Sequence, residues 1–151
     1  MNLTPILTLV GMLAAAPALA GEWQTLVSND KETVRVQRDS IREEEGEVLV
    51  KVLRDYRTTQ LNLLNDEWVA HRSKIVVYSV DCEAQRLGYL EWNLYGGNGG
   101  KGRTVSHGQV GGVVDFSAVK GNAADLAVVT FACGVVLAQR AGQQLLAEVN
   151  R

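Results

Sequence analysis

The chain has 151 residues, of which 15 are Lys or Arg and 17 are Asp or Glu, with both signs scattered along its length. That near balance produces no field strong enough to hold nucleic acid or anionic lipid, so neither is expected as a partner. With only two cysteines and two histidines, a resident metal is not expected, and no cofactor is implied.

Residues 1–20 carry no charged side chain. An apolar run over 6–16 leads to Pro17 and then Ala18-Leu19-Ala20, which reads as a cleavable export signal with a small-x-small cut site. The domain expected to remain spans 21–151 and would work in the periplasm or be secreted. Gly21 follows the cut, so no lipoprotein cysteine is available there. No later stretch is expected to reach membrane-spanning length. In an oxidising compartment the pair Cys82 and Cys133 reads as a disulfide. Neither lies in a C-x-x-C arrangement, which argues against thiol redox chemistry.

In chain order, 23–29 alternates apolar and polar residues and predicts a strand ending at Asn29-Asp30. Residues 33–38 alternate more cleanly, with Val34 and Val36 on one face. The polar segment 39–46, including Glu43-Glu44-Glu45, reads as a solvated turn. Over 47–57, Val48, Val50 and Val52 share one face while Leu49, Lys51, Leu53 and Asp55 share the other, as in an antiparallel sheet with one wet side. Residues 58–67 show no clear period and read as a loop. The β-branched and aromatic run over 67–82 predicts a strand. Within 84–95, Gly88, Leu90, Trp92 and Leu94 are taken as the core face. Gly96-Gly97-Asn98-Gly99-Gly100 reads as a flexible hairpin tip. Residues 104–110 and 113–116 read as one strand interrupted by a glycine bulge. Asn122 can then cap a helix, with Asp125 in its first turn and Leu126, Val129 and Cys133 on one face. Gly134 marks an end or a kink. Beyond it Ala138, Ala141, Leu145 and Val149 form a stripe expected to pack on the domain or to pair two copies of the chain.

Strands followed by a helix give an α+β fold: about six mostly antiparallel strands with the C-terminal helix on one face. No catalytic constellation stands out. The glycine loop fails as a phosphate-binding loop, because Tyr95 and Gly102 occupy positions where that motif needs Gly and Ser or Thr. His71 and His107 read as half-exposed surface histidines without ligand spacing. A spatial triad of Ser106 or Ser117 with a histidine, hence a small hydrolase, is only a remote reading. Among the aromatic residues, Tyr89 and Tyr95 flank the glycine loop and are candidate partner contacts, together with Lys101 and Arg103.

The order of several short motifs resembles a known family. Arg38-Asp39-Ser40-Ile41 follows an early strand, and Val52-Leu53-Arg54-Asp55-Tyr56 ends the next. Ser73, Asp81-Cys82, Gln85-Arg86, an aromatic strand to Tyr95 and a helix bearing Cys133 complete the series. Together they resemble the surface-adhesin protein E-like domain of Gram-negative bacteria, over roughly 23–133. The resemblance implies an antiparallel sheet with an attached helix, tied by a disulfide at the positions of Cys82 and Cys133. It also implies a non-enzymatic binding module, since the family is named for an outer-membrane adhesin of host extracellular-matrix proteins and plasminogen. This chain departs from that adhesin in lacking the lipoprotein cysteine and in continuing past Cys133. The partner is therefore expected to be a protein, either a host matrix protein or an envelope component, and a homodimer is conceivable.

Overall fold

A computed structural model describes residues 22–149; the expected export signal lies outside them. The strands are β1 (Trp23–Ser28), β2 (Glu32–Glu44), β3 (Glu47–Leu64), β4 (Glu67–Asp81), β5 (Arg86–Tyr95), β6 (Thr104–Gln109) and β7 (Phe116–Ala118). The first six form an antiparallel meander in chain order, and β7 also pairs with β5. One helix, α1 (Ala123–Val149), follows.

The expected core alternation is present and sets the layering. Val34 and Val36 on β2, Val48, Val50 and Val52 on β3, Val76, Tyr78 and Val80 on β4, and Leu87 on β5 form one buried face. Register places them side by side: Val36 opposes Val52, which opposes Val76, while Val50 opposes Tyr78. Onto this face α1 lays Val128, Val129, Ala132, Val135 and Val136, at the spacing of a helix stripe. Leu126, expected on that stripe, instead faces solvent.

Helix entry follows the predicted cap. Asn122 Oδ1 accepts from the N–H groups of Ala124 and Asp125, both at 3.1 Å. Asp125 then pairs with Arg54 at 2.9 Å, and the same guanidinium holds Glu32 of β2 through two hydrogen bonds of 3.0 and 3.1 Å. Burial works against the Arg54 charge, but the surrounding Tyr78, Asp125 and Glu32 outweigh it and raise the pKa further. The helix is pinned again at Cys133, which is bonded to Cys82 just beyond β4. Gly134 neither ends nor interrupts α1.

Four expectations need correction here. Residues 39–46 are mostly strand. β2 runs on to Glu44 past a register shift, where Ser40 Oγ donates to Gln37 O and accepts the Lys51 N–H, and Ile41 is buried. Polarity masked the strand because the extra residues are satisfied by a side chain instead of the ladder. Residues 58–67 are not a loop: β3 continues to Leu64 and turns back at Asn65-Asp66, both with positive φ. Residues 104–116 are two short strands on the same edge of β5, joined by 110–115, so no bulged single strand exists. Within β5, Leu90 is the extra residue between the pairs Val77–Glu91 and Tyr78–Tyr89. The helix-facing set therefore switches from Leu87 and Tyr89 to Trp92 and Leu94, which no single alternation could describe. Trp92 lies over Gly108 on β6, where a Cβ would sit 2.1 Å from the ring.

The helix also revises two expectations about its tail. From position 137 to 149 every residue is exposed, and the Arg140–Glu43 ion pair ties the tail to the sheet. The stripe does not pack on the domain, because the sheet ends beneath it. By length and composition α1 could cross a membrane (mean hydropathy 1.5 over its apolar window). Its first half is committed to the core, however. The free tail is about 20 Å of helix, short of the about 30 Å hydrocarbon layer.

The disulfide closes a loop with a sequence separation of 51, which should stabilise the fold by about 4 kcal/mol. Cys133→Ala should lose about that much in urea unfolding, and the native chain should take up no thiol label until reduced.

Candidate functional site

The glycine loop is an ordered clasp. Gly96 and Gly97 donate to Arg103 O and Lys101 O, closing the turn on itself. Ser73 Oγ donates to Gly97 O at 2.6 Å and accepts the Gly100 N–H at 3.0 Å. Asp55 accepts from Asn98 Nδ2 at 2.7 Å, the Gly99 N–H at 3.0 Å and Arg35 at 3.2 Å. Burial alone would raise the Asp55 pKa, but these three donors hold it below the usual carboxylate range. The backbone must pass close to the sheet to make these bonds. Gly100 has φ +69°, and a Cβ there would meet Ile75 at 2.8 Å. The loop thereby covers Leu53 on the face opposite the helix, leaving it 2% exposed.

Tyr95, Lys101 and Arg103 belong to this loop and its base. Tyr89 does not. It opposes Tyr78 on the helix side, whereas Tyr95 opposes Ser73 on the other side. The four sequence-selected residues therefore do not form one surface. Tyr89 instead accepts a hydrogen bond from Lys74 Nζ at 3.1 Å and packs on Tyr78, ring centroids 5.0 Å apart. Burial would raise the Tyr89 pKa, but the Lys74 ammonium and bonds from Tyr78 and Lys74 bring it below the usual value. Burial raises the Tyr78 pKa, and the Tyr89 charge adds to the rise.

The most exposed aromatic surface is one that sequence reading passed over as a loop. Residues 60–64 and 67–71 pair only with each other, because β2 stops at the Glu32–Tyr56 pair and β5 at Ser73–Tyr95. They form a two-stranded arm with both edges open. Leu63 opposes Trp68 and Leu61 opposes Ala70, so these four share a face. Trp68 is 69% exposed, and Leu61 and Leu63 are also exposed. Asp66 and Glu67 stand at the tip. The signal was there in Asn65-Asp66, which suits a two-residue hairpin turn, after Leu61 and Leu63 at alternate positions and before Trp68.

Histidine and serine placement gives no catalytic grouping. His71 is 2% exposed, not half-exposed as expected, and its ring meets Tyr56 edge-on at 5.6 Å. Burial pushes its pKa down. Ser106 and His107 are successive residues on β6 and point to opposite faces. Ser117 lies at the other end of β5, opposite Leu87. Among the described residues no three His, Cys, Asp or Glu side chains are grouped to hold a metal ion.

A sheet closed by one helix, with a Cys82–Cys133 bridge and a clasp built from Asp55 and Ser73, matches the features carried by the motif order. The family model for surface-adhesin protein E matches residues 23–134. The chain belongs to this family. Comparison with curated proteins gives no match. Surface-adhesin protein E therefore supplies the class: a surface adhesin-like protein, whose family points to protein binding and an exported or surface location. The matched segment contains the clasp, the arm and the bridge, and stops before the exposed helix tail.

The Asp55 clasp should show as pH dependence. Its lowered pKa stabilises the fold above the ordinary carboxylate pKa of about 4, and that contribution is lost as pH falls through the folded value. Asp55→Asn should cost about 1–2 kcal/mol at neutral pH, and in urea unfolding the gap between wild type and variant should narrow as the pH falls below about 4.

Proposed function

We propose that this chain is a non-enzymatic, exported binding module that docks a protein partner through the apolar face of its β3–β4 arm. The observation that carries this reading is the exposed set Leu61, Leu63 and Trp68 on a hairpin whose two edges are both open. Large apolar groups held in solvent commonly mark an interface, and Trp is among the residues that most often dominate binding energy. Lys101 and Arg103 lie near the arm's root, since Asn98 of the same loop bonds Tyr56 O, and with Tyr95 they would border the contact. Host extracellular-matrix proteins are the proposed partners, by analogy with the family. The competing reading is a periplasmic envelope component contacted by the same arm.

A binding assay against matrix proteins and plasminogen tests this directly. Trp68→Ala, which removes no buried group, should weaken capture by about ten-fold or more with the unfolding midpoint unchanged. Equal capture by the variant, or no capture by wild type, would count against the matrix reading. Protease treatment of intact cells separates the two locations, because a periplasmic protein stays shielded.

The exposed tail favours pairing of two copies along α1. Leu137, Leu145, Leu146 and Val149 are all solvent-facing there. Light scattering should then show a concentration-dependent dimer, and Leu145→Glu together with Leu146→Glu should return it to monomer.

A further inference from the structure

On the face opposite the helix, at the end of the sheet away from the arm, lies a groove of about 600 Å³. Its floor is apolar: Leu49, Val77 and the bulged Leu90. The 110–115 segment forms one lip and carries Val113, which is 95% exposed. The carboxylates are not clustered but stand at the two ends of this floor. Glu44, Glu45 and Glu47 are at one end and Glu91 is at the other.

Register fixes that separation. Glu47 and Leu49 share a face of β3, and Lys51 two residues further on opposes Val77, which opposes Glu91. Four residues along and two strands across place Glu47 and Glu91 about 16 Å apart. Little in the groove neutralises them. Arg42, the one cation lining it, is paired with Glu44. Glu47 accepts the Ser79 hydroxyl and Glu91 accepts only a long 3.4 Å bond from Asn93. Lys51 lies in the adjoining hollow with Glu91 and Tyr95 and makes no ion pair among the described residues.

An apolar strip with a carboxylate at each end that no cation neutralises among the described residues complements a chain with the reverse order of charges. We propose that the groove binds an extended polypeptide segment of a protein partner in which an apolar residue lies between two basic ones. In an extended chain, residues i and i+4 are about 13 Å apart. Two long basic side chains cover the remaining distance to Glu47 and Glu91, while the side chain at i+2 rests on Leu49, Val77 and Leu90. Their aliphatic stems add contact along the strip, and the charged heads stay at its wet ends. The site is separate from the arm and does not depend on it.

The probe is a labelled peptide, Lys-Ser-Leu-Ser-Lys, followed by fluorescence anisotropy at low and high salt. Saturable binding is expected. It should weaken about ten-fold when Glu47→Gln and Glu91→Gln are combined, and by a similar factor when Ser replaces the central Leu of the peptide. Added salt should weaken it as well. Should the double Gln variant unfold, Val113→Lys serves instead. Its side chain is already in solvent, and the new cation at the lip should repel the peptide. Trp68→Ala should leave peptide binding unchanged, so failure of the arm as a matrix contact and failure of the groove are told apart. No saturation by wild type up to about 1 mM, which is already weak binding, would overturn the proposal. Equal binding of the Leu-free peptide, or unchanged binding by the folded double Gln or Val113→Lys variant, would do the same.

Discussion

One helix has to cover an entire apolar sheet face, and everything else in the domain follows from how it is held there. Valine burial supplies the attraction but not the orientation, because a stripe of small residues on a field of valines can slide. Two fixed points remove that freedom. Arg54 ties the first turn, through Asp125, to β3 and β2, and Cys82–Cys133 ties the middle of α1 to the end of β4. A buried guanidinium is costly unless every charge is answered, and here two carboxylates answer it. The bridge works differently, by limiting the unfolded chain. The two clamps are therefore independent in mechanism as well as in place.

With one face sealed, the other is free to carry polar structure. Leu53 would be wet on an open sheet, yet the glycine loop folds over it and is fastened by Asp55 and Ser73. Glycine is needed here for approach more than for mobility. The same reasoning explains why the loop is no phosphate cradle: its N–H groups at Gly99 and Gly100 are already spent on Asp55 and Ser73.

The core was legible in the sequence because period-2 valines and a capped helix are local signals. Val34 to Val36, Val48 to Val52 and Asn122 each declared their role without distant help. The expectation of export made the pairing of Cys82 with Cys133 readable too. What escaped depended on partners far along the chain. Whether residues 58–67 were strand or loop turned on pairing with 67–71, and their apolar residues face solvent, so burial left no pattern to find. The bulge at Leu90 inverted the faces of β5 midway. His71 looked like a surface residue until the hairpin's root closed around it against Tyr56. Tyr89 and Tyr95, six positions apart, should share a face by simple alternation, and the same bulge separates them.

The arm and the helix tail leave the domain at opposite ends, the arm beyond Tyr56 and the tail past Glu43. Each exposes leucines that contribute nothing to the core and raise the hazard of self-association. A domain marginal in stability could not carry such surface safely, since partial unfolding would add the valine face to it. The two clamps on α1 keep that face covered while the apolar projections stay available. Stability is thus concentrated where the helix meets the sheet, and the exposed leucines lie where neither reaches. That division suits an adhesin-like fold, because the apolar surface left outside does not require the core to open.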